Sequence, residues 1–184
     1  MAGIKGAVVP VTALQQNCSV FWDEEAKLAT VVDPGGDAAR IVEMLESQGL
    51  TVERILLTHG HIDHAGGVQA LNRLLAGRQG EAVPIVGPHR ADGFLLEALG
   101  EQAAAYGIPE AEAVSPDEWL DEGGTISIAG QSFDIYHCPG HSPGSLVFVN
   151  AAARFAIVGD VLFAGSIGRT DFPYGDHNAL ISAV

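Results

Sequence analysis

The sequence predicts an α/β fold, a four-layer αββα sandwich formed as a single domain over residues 1–184. Three observations carry that expectation. Apolar runs of strand length in the first half alternate with stretches of helical period, as strands joined by crossover helices do. The second half returns to short strands divided by turns. A chain of 184 residues with 47% hydrophobic side chains can bury one sizeable core and is too short for two comfortable ones. Two sheets flanked by helices accommodate this order.

Residues 18–22 and 28–33 read as strands, the second stopped by Pro34-Gly35-Gly36. Asp37 is placed to cap a helix through Ile41, Val42, Leu45 and Glu46, which Gly49 ends. Residues 52–58 form a buried strand, followed by a helix over 64–76 and a strand at 83–86. Residues 91–106 have a helical pattern that Gly93 and Gly100 interrupt. An acidic connection over 109–124 offers Trp119 and Leu120 as anchors. Strands are expected at 125–128, 131–138, 145–150 and 154–158, and Asp176 is a fitting N-cap for a last helix.

The formal net charge of −14 creates an acidic field that repels phosphate backbones, so no nucleic-acid partner is expected. The longest apolar runs are strand-sized, so no membrane-spanning helix and no membrane partner are expected either. The opening residues lack the charged head and uninterrupted apolar run of a signal peptide, and Cys18 and Cys138 are two thiols in a domain that needs no staple. A reduced, cytoplasmic location is the expectation.

Chemistry concentrates immediately after the apolar Ile55-Leu56-Leu57, in Thr58-His59-Gly60-His61-Ile62-Asp63-His64. In an extended segment, positions two apart point to one side, so His59, His61 and Asp63 can converge. His64 sits at the mouth of the next helix, where the change of period redirects it toward a second position. Imidazole and carboxylate are donors that Zn²⁺ accepts. The competing reading is a polar loop in which three histidines crowd together, but unpaired imidazoles in one short loop have little structural purpose. Two later segments add donors: His141 in Cys138-Pro139-Gly140-His141-Ser142-Pro143-Gly144, and Asp160 at the end of the strand-like Phe155-Ala156-Ile157-Val158-Gly159. Each alone reads as a loop or turn residue; beside the first cluster each becomes a ligand candidate.

On these motifs, together with Gly159-Asp160-Val161-Leu162-Phe163 and Gly168-Arg169-Thr170-Asp171-Phe172, the chain resembles the metallo-β-lactamase superfamily. Within it, the resemblance is to the hydroxyacylglutathione hydrolase (glyoxalase II) branch, in its compact single-domain form. It implies the metallo-β-lactamase fold, with His59, His61 and His141 at a first metal, Asp63 and His64 at a second, and Asp160 bridging. Asp33 would support the site without being a ligand. One or two Zn²⁺ ions are implied, with Fe or Mn as alternatives, and Asp63 and Asp160 become the catalytic carboxylates beside an activated water. The implied partner is a small glutathione-derived thioester of the S-D-lactoylglutathione type. Arg169, Phe163 and Tyr174 are candidate substrate contacts, each with a bland alternative: an ion pair with a nearby aspartate for Arg169, a core position for the aromatics. His89 and His137 are not expected to be ligands, and Cys138 is expected to be an inert thiol.

In one respect the sequence departs from that pattern. Members of this type supply a further histidine from a later Pro-Gly-His segment, and nothing here follows Val184. A fold lacking its C-terminal strand is therefore expected, with a second site one nitrogen donor short. A shortened form of a longer protein and a protein that works with an incomplete second site both remain open. His177 opens the last helix, where a surface or capping role is expected. A mononuclear iron persulfide dioxygenase using His59, His141 and Asp160, and a non-catalytic metal-binding domain, stay as alternative functions.

Overall fold

A computed structural model describes residues 4–184. The first sheet contains β1 (Lys5–Val11), β2 (Gln16–Trp22), β3 (Leu28–Val32), β4 (Thr51–Leu56) and β5 (Ile85–Val86), in that spatial order. Its first three strands are antiparallel, whereas β3, β4 and β5 run parallel. The crossovers that parallel pairing requires are α1 (Ala38–Ser47), between β3 and β4, and α2 (Ile62–Ala65) with α3 (Val68–Gln79), between β4 and β5. After α4 (Gly93–Glu97) and α5 (Leu99–Tyr106), the chain forms an antiparallel sheet. It consists of β6 (Thr125–Ile128), β7 (Gln131–His137), β8 (Leu146–Asn150) and β9 (Phe155–Ile157). A two-residue hairpin, β10 (Leu162–Phe163) with β11 (Ser166–Ile167), precedes the final helix α6 (His177–Ala183).

Strand alternation explains the layering. In β3 and β4, Val31 and Ile55 face one way, into a core shared with Ile41 and Leu45 of α1 and Leu71 and Leu75 of α3. Their neighbours Val32 and Leu56 face the other way and meet Phe133, Ile135, Leu146 and Phe148 of the second sheet. On the far side of that sheet, Val147 packs with Cys138, Val161 and Leu180 of α6. Helices, sheet, sheet and helix follow one another as the sequence predicts. No helix among the described residues is long and apolar enough to cross a membrane.

Several local expectations need correction. The helix expected over 64–76 is two helices, broken where Gly67 presses onto the Pro34–Gly36 backbone. A Cβ at Gly67 would lie 2.7 Å from both the Pro34 carbonyl oxygen and the Gly36 nitrogen. Residues 91–106 contain a 3₁₀ turn at Arg90–Asp92 followed by α4 and α5, with Gly93 inside the run and the break at Ala98. Asp37 does not cap α1 with its side chain; it has a left-handed φ of 51°, and its carboxylate accepts from the Thr12 N–H at 2.6 Å. Asp176 does cap α6, accepting from Ala179 N–H at 2.9 Å. Strand β1 was not expected because Gly6 and Pro10 interrupt its pattern; an edge strand tolerates the missing proline donor.

A groove of about 1060 Å³ opens between β1 and β2 on one side and β9 on the other, and its inner end reaches Asp33, Asp63, His64 and Asp160. Half-exposed Val8, Leu14, Phe155 and Phe163 line it.

Candidate metal centre

The donors gather where strands end. Thr58 and His59 follow β4, His141 lies in the loop between β7 and β8, and Asp160 follows β9. Gly159 has a left-handed φ of 48°, and a Cβ there would come within 2.5 Å of Thr58 Oγ1; only glycine lets the Asp160 turn approach so closely. Asp33, at φ 53°, ends β3 and donates its backbone N–H to the Leu56 carbonyl.

His59 Nε2 lies 3.1 Å from His61 Nδ1, which is 2.9 Å from His141 Nε2. These spacings approach the ~3.3 Å edge of a tetrahedron with bonds of ~2.0–2.1 Å. The ring protons fix which nitrogens are free. The Arg169 carbonyl can only accept, so His141 Nδ1 donates to it at 2.9 Å and Nε2 turns a bare lone pair inward. Thr58 Oγ1 donates to Asp33 Oδ2 at 2.6 Å and so accepts from His59 Nδ1 at 3.0 Å, which bares His59 Nε2. The outer nitrogen of His61, Nε2, meets the Tyr174 hydroxyl at 2.8 Å. Buried lone pairs facing one another repel unless a cation lies between them, and outer hydrogen bonds of this kind orient ligand histidines. The donor set therefore fits a divalent metal.

Beside it, one atom each of Asp63, His64 and Asp160 forms a second cluster within 4.8 Å. His64 Nε2 is 3.3 Å from Asp160 Oδ1 and 3.8 Å from Asp63 Oδ2. Asp160 Oδ2 lies 3.5 Å from His141 Nε2, so this carboxylate stands between the two groups. Asp33 also falls close to His59 and His64. Its oxygens, however, already accept from Thr58 N–H and Thr58 Oγ1–H and contact His64 Nδ1 at 2.9 Å, which makes it a support.

The extended run expected through Asp63 ends at His61. Because α2 starts at Ile62, Asp63 is carried away from His59 and His61 and toward His64 and Asp160. Arg169 is exposed and forks onto Asp171 at 2.6 and 2.7 Å, with its guanidinium 4.5 Å from the centre of the Phe172 ring. Phe163 lines the groove beside Asp160, whereas Tyr174 stacks on Phe172. His177 is exposed at the start of α6, away from either cluster. His89 and His137 stack on one another with centroids 4.1 Å apart and join neither group. Cys138 is buried, and burial pushes its thiol pKa up, as for an inert thiol. No spacing or motif points to Asp92, a buried carboxylate that contacts both histidine loops.

Burial, followed by the neighbouring imidazoles, holds His59 well below the ordinary histidine pKa and His61 at about 3. Burial alone would lower His64, but Asp33 and Asp160 raise it well above the ordinary value. Burial likewise opposes ionisation of Asp160, and the hydrogen bond and charge of His64 overcome it, so its pKa is lowered. A pH dependence follows for the metal-free protein. Histidines in the unfolded chain take protons near their ordinary pKa of about 6.5, whereas folded His61 resists until about 3. The stability contributed by His59 and His61 is thus present above pH 6.5 and lost as pH falls toward 3. The contribution of His64 is already complete below 6.5 and does not offset this loss. The urea midpoint of metal-free protein is expected to fall steadily between pH 6.5 and 4; a flat or rising midpoint would contradict the assignment.

A family model described as the metallo-beta-lactamase superfamily matches residues 11–183. Hydroxyacylglutathione hydrolase GloC of Haemophilus influenzae is 46% identical over 178 residues, covering 96% of this chain and 81% of that protein. Among solved structures, the B3 metallo-beta-lactamase BLEG-1 aligns with a TM-score of 0.83 at 34% identity, over 97% of this chain and 83% of its own. TTHA1623 in a di-iron-bound form aligns with a TM-score of 0.81 at 32% identity, over 96% and 83% of the two chains.

Proposed function

The chain belongs to the metallo-beta-lactamase superfamily, and from that premise we propose that this metal-dependent hydrolase cleaves the thioester of an S-acylglutathione, S-D-lactoylglutathione being the type substrate. The observation that carries the reading is the Asp160 carboxylate, 3.3 Å from His64 and 3.5 Å from His141, where it can serve two adjacent cations at once. The name of the Haemophilus influenzae relative supports the choice of thioester.

We assign His59, His61 and His141 to one ion, Asp63 and His64 to a second, and Asp160 to both. Zinc suits these donors, and iron or manganese suit them too. When bound, the ions supply Lewis acidity toward the acyl oxygen and lower the pKa of a coordinated water. Asp63, half-buried at the inner end of the groove, takes the proton of the attacking water. Tyr174 holds the His61 ring through Nε2, leaving Nδ1 inward. Phe163 lines the approach, and Arg169 exchanges Asp171 for a carboxylate of the glutathione moiety. Thiolate is a good leaving group, so the reaction demands little from a separate general acid.

The test is thiol release from S-D-lactoylglutathione by protein loaded in turn with Zn²⁺, Mn²⁺ or Fe²⁺, beside β-lactam opening and oxygen uptake with glutathione persulfide. Metal-dependent thiol release is expected to dominate. Lactam opening or oxygen consumption without thioester cleavage would replace this reading, and metal binding without turnover of any of them would leave a binding domain.

A further inference from the structure

We infer that Asp92 is a positioning residue that sets the His59–His61 pair against His141; this deepens the proposed function and rests on its metal site. The carboxylate is fully buried at the end of the 3₁₀ turn before α4. Its Oδ2 accepts from Gly60 N–H at 2.8 Å and from Ser142 Oγ–H at 2.7 Å, while Oδ1 accepts from Gly144 N–H at 2.6 Å. Gly60 lies between His59 and His61, and Ser142 follows His141. A single oxygen atom therefore joins the two loops that supply the three nitrogens.

The packing around this oxygen leaves the loops little freedom. A Cβ at Gly60 would lie 3.1 Å from Asp92 Cβ, and one at Gly144 would lie 2.7 Å from Asp92 Cγ, so both backbones rest directly on this residue. Ser142 Oγ is also 2.7 Å from Ser145 Oγ, which braces the hydroxyl from the other side. The three donors to the carboxylate are all neutral, and a buried anion without a cation is costly unless its oxygens are filled. Filled in this way, it holds three hydrogen bonds that no neutral side chain of the same shape can reproduce. Asparagine keeps one acceptor oxygen and turns an NH₂ group toward an N–H donor.

The consequence is a nitrogen triad set before metal arrives, so removal of the clamp should weaken metal binding more than it weakens the fold. Wild type, D92N, S142A and the core control L75A would be compared by chelator competition with Co²⁺, by the visible d–d absorption of the Co²⁺-loaded protein, and by urea unfolding of the metal-free protein. Leu75 is fully buried in α3 and contributes no atom to either donor group. In D92N, affinity for the first Co²⁺ is expected to fall about tenfold or more, with an altered absorption band. S142A should show a smaller loss in the same direction. L75A should lose stability while keeping wild-type affinity and spectrum.

Wild-type affinity and spectrum in D92N, or in S142A should D92N fail to fold, overturns the inference. Equal loss of affinity in L75A overturns it as well, because the effect would then be general softening. The readout is metal binding, so wild-type protein that binds Co²⁺ but releases no thiol defeats the thioester reading and leaves the role of Asp92 standing.

Discussion

Replacing His59 with alanine is expected, on the proposed function, to reduce kcat/KM for thioester hydrolysis by roughly 10³-fold or more, because the assigned metal would lose a nitrogen donor on which several kcal/mol of stabilisation depends. The ring is 1% exposed, its Nδ1 is tied through Thr58 Oγ1 to Asp33, and its Nε2 faces His61. The bound-metal stoichiometry of H59A should fall with the rate, while circular dichroism shows the fold retained. His177, exposed at the start of α6, provides the comparison, and H177A should match wild type in both measurements. Undiminished metal content and turnover in H59A would remove the basis of the assigned chemistry.

The second large effect is structural in origin and selective in outcome. A Cβ added at Gly35 would sit 1.5 Å from the Asp63 carbonyl oxygen and 2.4 Å from its carbon. Both groups are backbone, so no side-chain rotation relieves the overlap, and either the turn after Asp33 or the start of α2 must move. Overpacking of this severity costs about 3 kcal/mol. The Asp63 carbonyl is the group struck, so the displacement falls first on Asp63 and on His64 beside it, whereas His141 is anchored elsewhere, by the Arg169 carbonyl. G35A should therefore lose about 3 kcal/mol in urea unfolding and, on the proposed two-ion assignment, lose the ion assigned to Asp63 and His64 first in a zinc titration. Wild-type stability combined with two full equivalents of bound metal would show that the turn yields without disturbing α2.

The sequence made the layered fold legible because strand alternation and helical period are local signals. Val31 and Val32 point to different cores, a split that follows from their being neighbours in a strand. His59 and His61 were legible for a related reason: they lie two apart in extended backbone. Asp63 was not placed by that rule, since the helix begins one residue before it and the period changes. Asp92 was invisible because its partners are backbone and hydroxyl donors from segments 32, 50 and 52 residues away, and no spacing encodes them. Nor could the sequence say that His61 turns Nδ1 inward while His59 and His141 turn Nε2, because Tyr174 and the Arg169 carbonyl decide it from a distance. The helix expected as one piece split at Gly67, where contact with another segment overrode a continuous apolar pattern.

The groove beside the outer edge of β9 has a colloidal consequence. Val8, Leu14, Phe155 and Phe163 offer adhesive surface next to a strand whose outer side pairs with no other strand among the described residues. What keeps copies apart is the formal charge of −14 that every molecule carries. That repulsion reaches only about 8 Å at physiological ionic strength and about 3 Å at 1 M. Added salt therefore tips concentrated solutions of this protein toward self-association, and dilute buffer keeps them dispersed.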